Sequence, residues 1–262
     1  MKRREFLQLV TASAASGQTA TTDSAAASLA ATVSAPSPKT FVSGREDGRF
    51  VETAGFLHKY LWSLRPKLEY RPGLTRDEFL GWRSQVAAKL LELMDFPEVS
   101  PQPEPKQIWS RQRDGYRLER WEAYPEPWSV VPFLLLVPDG VSQRSRAPAV
   151  LCFPGSTGSK EALAGEPAPG ATATPGDMKW LDNRMAWHFA RRGMIALAVD
   201  SPATNETGSD LRERTPLALQ AIWMGRSYES VSVFQKACLL QWLARQPYVD
   251  AGRIATSGHS LG

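Results

Sequence analysis

The hydrophobic and polar positions of the chain follow a helical period first and a strand pattern afterwards. Residues 50–98 are helical in pattern. Thr75 and Glu78 have the spacing of a capping box, in which the two side chains bond free backbone N–H groups at a helix start. The next apolar positions recur on one helical face: Phe79, Trp82, Val86, Leu90 and Leu93. We interpret residues 41–105 as a helical N-terminal extension that packs on the main domain.

Strands begin after the Pro-rich segment that ends at residue 105. Residues 107–113 and 116–124 predict a β-hairpin, because the Asp-Gly pair between them readily adopts a turn with positive φ. Short apolar runs of the kind that are buried in a sheet predict further strands. These runs are residues 148–153 and 194–199, and strands are also predicted at the largely apolar residues 130–137 and at residues 253–257.

Helical segments separate the later strands. One is predicted over residues 178–192, ended by Gly193, and an almost wholly apolar one over residues 228–244. The segment 154–177 and the stretch after Asp200 are interpreted as loops. Strands that first pair in a hairpin and then alternate with helices indicate an α/β domain over residues 106–262. Its sheet is expected to be mostly parallel, with an antiparallel N-terminal hairpin and helices on both faces.

The last five residues carry the strongest chemical signal. Gly258-His259-Ser260-Leu261-Gly262 has the form G-x-S-x-G and directly follows the strand predicted at 253–257. A serine nucleophile must stand on a sharp strand-to-helix turn, and glycines on both sides remove side chains that would clash there. We therefore predict Ser260 as the catalytic nucleophile, with Gly258 and Gly262 as the elbow glycines. His259 is expected to be a neighbour of the site rather than its general base.

A second glycine-containing turn, residues 153–158, follows the strand predicted at 148–153. Attack on a carbonyl places negative charge on its oxygen, so backbone N–H groups must already point at that position. The predicted donors are the N–H groups of Leu261, after the nucleophile, and of Ser156. The alternative is a loop without a catalytic part. Asp200, at the end of a strand, is expected to hold the loop that follows it.

A serine needs a neighbouring base, and the base needs an orienting carboxylate. On an elbow of this kind the chain order is Ser, then Asp or Glu, then His. Nothing after Gly262 supplies either group, so we expect a chain that is incomplete at its C-terminus and shows no turnover by itself.

The chain begins with features of an export signal. Arg3 and Arg4 precede Phe6 and a short, weakly apolar stretch at residues 7–15, which is typical of twin-arginine signals and too short to span a bilayer. Together with the Ala-, Ser- and Thr-rich tether that follows, this assigns residues 1–40 to signal and tether. The expected partner is the twin-arginine export machinery, and the expected location is periplasmic or secreted, with no stable membrane anchor. A chance Arg-Arg pair is the alternative.

Composition narrows the function classes. The hydrophobic content of 42% over 262 residues suits one well-formed core, and a net charge of +4 without a basic cluster disfavours a nucleic-acid partner. Cys152 and Cys238 have no metal-binding spacing and are interpreted as unpaired buried thiols, although a disulfide between them is the minority alternative. With only three histidines, no metal site and no cofactor is predicted.

Four segments together resemble exported bacterial esterases of the α/β-hydrolase superfamily, of the acetyl-xylan-esterase-like and dienelactone-hydrolase-like kinds. Residues 248–262 resemble their V-D-x-x-R-I-x-x-x-G-x-S-x-G segment, and residues 191–200 their fourth strand. Residues 121–138 are similar to their opening strands, and residues 224–227 fit an exported bacterial subgroup. The resemblance extends over about residues 60–262.

This resemblance implies an α/β-hydrolase fold and cleavage of small or carbohydrate-linked carboxylic esters through an acyl-enzyme. Ser260 would be the nucleophile, and the Ser156 and Leu261 N–H groups the oxyanion donors. The oxyanion loop departs from the commoner His-Gly start, since Pro154 and Gly155 stand there. Two alternatives remain at this point: a serine peptidase of prolyl-oligopeptidase type, whose long N-terminal domain does not fit here, and a non-catalytic gene fragment.

Overall fold

A computed structural model of the protein describes residues 42–100, 102–167, 183–208 and 214–262. The predicted export signal and tether at residues 1–40 lie outside the described residues. The chain divides into two compact units, whose boundary within the described part falls between Ala87 and Ala88. Among the helices described, none combines the length and the apolar character needed to cross a membrane.

From residue 42 onwards, the described N-terminal region contains the helices α1 (Thr53–Ser63) and α2 (Arg76–Met94). The predicted capping box is present at the start of α2. The Thr75 N–H group donates to Glu78 Oε2 at 2.8 Å, and the Glu78 N–H group donates to Thr75 Oγ1 at 3.4 Å. Both residues thus satisfy backbone donors that the first helical turn would otherwise leave free.

The predicted apolar face of α2 is largely at the surface. Phe79 is 38% exposed, Leu90 49% and Leu93 65%, whereas the buried residue of the helix is Leu91. Helical periodicity shows which positions share a face, but it does not say what covers that face. Packing of the extension on the main domain remains a prediction.

The described part of the main domain holds a sheet in the order β1-β2-β3-β5-β4-β6. Its strands are β1 (Lys106–Arg113), β2 (Tyr116–Ala123), β3 (Val131–Pro138), β4 (Ala147–Phe153), β5 (Ile195–Val199) and β6 (Val249–Gly258). The β1–β2, β2–β3 and β3–β5 pairs are antiparallel, and β4 pairs in parallel with both β5 and β6. The α/β fold is confirmed, but the sheet is mixed rather than mostly parallel. The reason is that β3 extends the N-terminal hairpin into an antiparallel meander.

Helices cover both faces of this sheet. They are α3 (Lys160–Ala164) and α4 (Met185–Ala190) on one face and α6 (Tyr228–Ala244) on the other. A further helix, α5 (Arg214–Trp223), contacts α6. On one face Phe133 and Leu197 pack in a cluster with Trp242 of α6, and on the other Leu134 packs in a cluster with Ala186 of α4. Because β3 is buried along its whole length, both clusters share it.

The helix predictions have mixed outcomes. Helix α6 has the predicted bounds, 228–244. The helix predicted at 178–192 is shorter in the structure, Met185–Ala190, because Asn183 and Arg184 are described and lie outside it. Residues 178–182 lie outside the described part. Gly193 follows it with φ +79°, as a helix-ending glycine should. The loop predictions missed α3 and α5.

The two cysteines form no disulfide, as predicted. Cys152 is buried and Cys238 half-buried. Burial raises the pKa of the Cys152 thiol to about 12 and that of Cys238 to about 11. Both thiols therefore stay protonated and pack as small apolar groups.

Candidate active site

Strand β6 ends in a sharp turn that carries Ser260. The strand stops at Gly258, and Ser260 has φ +54°, a left-handed backbone conformation that side-chain-bearing residues rarely adopt. The turn is closed by the Gly262 N–H group, which donates to the His259 carbonyl at 2.9 Å. Ser260 is exposed, so the turn presents its hydroxyl-bearing residue at the surface instead of in the core.

The two elbow glycines leave no room for side chains. A Cβ atom on Gly258 would overlap the carbonyl group of Gly262, and one on Gly262 would overlap the carbonyl oxygen of Phe153. The turn can close this tightly only because both positions lack a Cβ atom. The spacing of glycines in the sequence motif therefore has a steric cause in this structure.

The end of β4 lies beside this turn. Phe153 and Gly258 are partners in the parallel β4–β6 pair, and the His259 N–H group donates to the Phe153 carbonyl at 3.3 Å. A Cβ atom on Gly155 would lie 3.4 Å from Ser260 Cβ and 2.9 Å from His259 Nδ1. The chain thus brings the residue before Ser156 into contact with the predicted nucleophile.

We call residues 154–159, which include the predicted oxyanion donor Ser156, the oxyanion loop. Three groups outside the loop hold its backbone or the residue that follows it. Arg214 Nη2 donates to the Ser156 carbonyl at 3.0 Å, and Asn205 Nδ2 donates to the Gly158 carbonyl at 2.8 Å. The N–H group of Lys160 donates to Asp200 Oδ1 at 2.8 Å. Asp200 thus holds the loop after β4, and it also binds the loop after its own strand, as the sequence predicted, because Asn205 Nδ2 donates to Asp200 Oδ1 at 3.3 Å.

Lys160 is the centre of a buried ion cluster at the same edge of the sheet. Its Nζ atom lies 2.8 Å from a carboxylate oxygen of Asp200, 2.8 Å from one of Glu161 and 2.6 Å from one of Glu206. The side chains of Lys160 and Asp200 are 1% and 0% exposed. Burial opposes the charge on Lys160, but the neighbouring carboxylates prevail and raise its pKa. Burial also raises the pKa of Asp200, against the effect of Lys160.

Glu206 extends the cluster towards β2. It pairs with Arg120, whose guanidinium group contacts both carboxylate oxygens, and with Lys160. Hydrogen bonding from Arg120, supported by Lys160, lowers the pKa of Glu206 to about 2. This carboxylate is therefore ionised at any pH near neutral.

The segment that joins Asp200 to Glu206 has an unusual backbone conformation. Ala203 and Asn205 have φ values of +56° and +49°, and the Thr204 hydroxyl donates to the Ser201 carbonyl at 2.6 Å. The left-handed conformation suits asparagine better than most residues. It places the Asn205 amide between the Gly158 carbonyl, at 2.8 Å, and Asp200 Oδ1, at 3.3 Å.

Most residues that hold the oxyanion loop were not predicted from the sequence. Lys160, Asn205 and Arg214 lie in segments interpreted as loops, and their partners are 40 to 58 residues away in the chain. The one available signal was the polar run from Asp200 to Glu206 directly after a buried strand, since strand ends are where functional side chains collect.

A cavity of about 410 Å³ lies between the elbow and helix α6. It is lined by residues from the elbow and the helix, among them Gly258, Leu261, Tyr228 and Lys236. Lys236 Nζ donates to Ser232 Oγ at 2.8 Å and lies 4.8 Å from the centre of the Phe153 ring. Burial lowers the pKa of Lys236 to about 8.

The three histidines lie where the sequence suggested. His188 is on α4, with its ring 5.0 Å from that of Trp187, and His58 is on α1 in the N-terminal unit. His259 is on the elbow, and its Nδ1 atom lies next to Gly155, 2.9 Å from where a Cβ atom on that glycine would be. This arrangement agrees with the expectation that His259 flanks the nucleophile.

Comparisons with known proteins give the family. A model of the Abhydrolase family matches residues 32–262. Among solved structures, a protein from Bacteroides fragilis assigned as an acetyl xylan esterase has 35% sequence identity and a TM-score of 0.72 over 84% of this chain. A methylesterase matches with 16% identity and a TM-score of 0.54 over 77% of this chain, which supports the fold alone.

The matches cover a smaller share of each relative than of this chain. The chain spans 57% of the length of the Bacteroides fragilis protein and 39% of that of the methylesterase. No match was found among functionally curated proteins. The family match over residues 32–262, together with the elbow geometry, shows that this chain belongs to the α/β-hydrolase (Abhydrolase) family.

Proposed function

We propose that the protein is a carboxylic-ester hydrolase in which Ser260 is the nucleophile. The observation that carries this proposal is the exposed Ser260 at φ +54°, between two glycines that cannot bear a Cβ atom and beside the oxyanion loop. A serine held in a strained turn at the end of a strand can reach a substrate carbonyl above the sheet. The similarity to a protein assigned as an acetyl xylan esterase supports the same reaction class.

In the proposed reaction, Ser260 Oγ attacks the ester carbonyl carbon while its proton passes to a general base. The carbonyl oxygen becomes an oxyanion, which the backbone N–H groups of Ser156 and Leu261 bind. Collapse of this intermediate breaks the bond to the alcohol, which leaves with the proton, and the acyl group stays on Ser260. A water molecule then attacks the acyl-enzyme in the same manner and releases the acid.

The general base and its orienting carboxylate are proposed to come from residues other than these 262. His259 flanks Ser260 on the elbow and His188 lies on α4, and we propose that neither acts as its general base. Since the relative assigned as an acetyl xylan esterase is considerably longer than the part this chain covers, it has room for such residues. For residues 1–262 alone we therefore expect no measurable ester hydrolysis.

The substrate class is proposed to be small acyl esters, including those linked to carbohydrate. The Bacteroides fragilis relative is assigned to acetyl esters of xylan, which are of this class. The twin-arginine-like start of the chain agrees with export to the periplasm or beyond, where polymeric carbohydrate is accessible.

The test is hydrolysis of p-nitrophenyl acetate by the complete gene product that contains residues 1–262. We expect Ser260→Ala to lower kcat/KM by about 10⁴-fold or more, because the nucleophile itself is lost. Ser156→Ala is the matched control. It removes a hydroxyl at the site but keeps the backbone N–H group, so its activity should stay within about threefold of the parent.

Three outcomes would contradict the proposal: full activity of Ser260→Ala, hydrolysis of proline amides in place of the aryl acetate, or no ester hydrolysis by the parent protein. Loss of activity in Ser156→Ala equal to that in Ser260→Ala would instead show that the Ser156 hydroxyl takes part.

A further inference from the structure

The oxyanion loop has little means of holding its own shape. Pro154, Gly155 and Gly158 supply no long side chains to pack, and the one backbone bond within the loop joins the Gly158 N–H group to the Gly155 carbonyl at 3.1 Å. Backbone donors stabilise an oxyanion well only when they already point at it before reaction. The conformation of the loop must therefore be fixed from outside.

Two of the external contacts come from one short segment. Asp200 and Asn205 both follow β5, and they bind the Lys160 N–H group at 2.8 Å and the Gly158 carbonyl at 2.8 Å. Strands β4 and β5 are parallel neighbours, so the segments after them begin at the same edge of the sheet. This topology lets the segment after β5 hold the loop after β4.

The ion cluster fixes Asp200 in turn. Lys160 Nζ lies 2.8 Å from Asp200 Oδ2, while Oδ1 accepts from the Lys160 N–H group and from Asn205 Nδ2. Both side chains are almost fully buried, and burial of charge opposes folding unless every group is paired. Such a cluster contributes little net stability, because the loss of hydration of its charges offsets their attraction. It does, however, hold the Asp200 carboxylate in one orientation.

We propose that Asp200 and Asn205 are positioning residues that set the direction of the oxyanion-loop N–H groups towards Ser260. This inference rests on the proposed esterase function. Neither residue touches the reacting atoms: Asn205 acts through the Gly158 carbonyl and Asp200 through the N–H group of Lys160. Their loss should weaken binding of the transition state more than binding of the substrate, because the oxyanion exists only in the former.

The first test is steady-state kinetics of Asn205→Asp in the complete gene product. Aspartate has the same shape and tolerates the left-handed backbone, but it cannot donate to the Gly158 carbonyl. We expect kcat to fall about 10- to 100-fold, with KM within about threefold of the parent. Asn205→Gly keeps the backbone conformation without adding charge and should show the same division between kcat and KM.

Glu126→Gln is the control variant. It breaks the Arg226–Glu126 ion pair, a half-buried contact of 2.6 Å that touches neither the oxyanion loop nor the elbow. Its kcat should remain within about twofold of the parent. The inference would be overturned if kcat fell no further in Asn205→Asp and Asn205→Gly than it does in Glu126→Gln. It would also be overturned if the two Asn205 variants had a higher KM and an unchanged kcat.

The second test does not depend on turnover. Amide hydrogen exchange in the segment 155–160 should become at least about tenfold faster in Asn205→Asp and Asn205→Gly, and should be unchanged in Glu126→Gln. Unchanged exchange in the two Asn205 variants would refute the positioning role even if the parent hydrolyses esters. If the parent protein has no esterase activity but amide exchange is faster in the two Asn205 variants than in the parent, the result supports the loop contact and refutes the proposed function.

Discussion

The ends of β5 and β6 lie at the same edge of the sheet, on either side of β4, yet they are built in opposite ways. Strand β5 is followed directly by Asp200, whose side chain is fully buried and bonded to both the backbone and the ammonium group of Lys160. Strand β6 ends in an exposed turn in which Ser260 has a left-handed backbone. The end of β5 is thus buried and held by paired charges, whereas the end of β6 is exposed and has a strained backbone.

This difference separates two requirements of a catalytic site. A reactive group must be accessible and held in an unusual conformation, and a conformation of that kind persists only when its surroundings enforce it. The oxyanion loop between the two ends contacts both of them. We therefore expect changes at the β5 end to alter stability and loop geometry, and changes at the β6 end to alter chemistry or closure of the turn.

The largest effect on stability is expected for Lys160→Met. This change leaves Asp200 and Glu161 buried without their cation, and breaking a buried pair on one side costs about 3–5 kcal/mol. The free energy of unfolding, measured in urea, should fall by that amount. Lys236→Met is the matched control, because Lys236 is half-buried beside Ser232 and an aromatic ring. An equal fall in the free energy of unfolding for both variants would show that the paired carboxylates around Lys160 do not cause the larger loss.

A smaller effect is expected for Gly258→Ala. The added methyl group would overlap the Gly262 carbonyl, and forced repacking of this kind costs about 1–3 kcal/mol. Gly252→Ala in the same strand is the control, because its Cβ atom would lie 3.4 Å from the nearest atom, Asp250 Oδ1. Equal free energies of unfolding for the two variants would argue against a sterically tight elbow.

The smallest effect concerns pH. Hydrogen bonding from Arg120 and Lys160 lowers the pKa of Glu206 from its ordinary 4.5 to about 2. Its contribution to stability is therefore complete above pH 4.5 and is lost as the pH falls towards 2. Because Glu206 is 36% exposed, we expect less than about 1 kcal/mol from it.

The measurement for Glu206 is a comparison of unfolding free energies between the parent and Glu206→Gln from pH 6 to pH 2, about the range in which carboxylates titrate. The difference between them should be constant above pH 4.5 and should narrow below it. A difference that stays constant down to pH 2 would contradict the lowered pKa.

Local patterns were enough to predict much of the fold. The Asp-Gly turn predicted the β1–β2 hairpin, where Gly115 has φ +81°, and the apolar run 228–244 matched α6. The motif G-x-S-x-G after a strand predicted the elbow turn. In each case the determining residues are neighbours in the chain, so a single sequence contains the whole signal.

The missed features have nonlocal causes. Helix α3 has only five residues, and its start is capped by the Ser159 side chain within a segment rich in Gly and Ala. The ion cluster joins Lys160 to Asp200 and to Glu206, which approach only because β4 and β5 are adjacent. No spacing in the sequence encodes that contact. The mixed sheet likewise depends on β3 pairing with β5, which is distant in the chain.

Strand pairing also bears on the order in which the protein folds. The β1–β2 and β2–β3 pairs join strands that are neighbours in the chain, whereas β6 pairs with the distant β4 through partners such as Ala149 and Ile254. Contacts between distant segments form slowly, because a long loop must close before they gain any energy. The meander can thus form while the ribosome is still synthesising β6, and Ser260 takes its final conformation only after β6 has paired with β4.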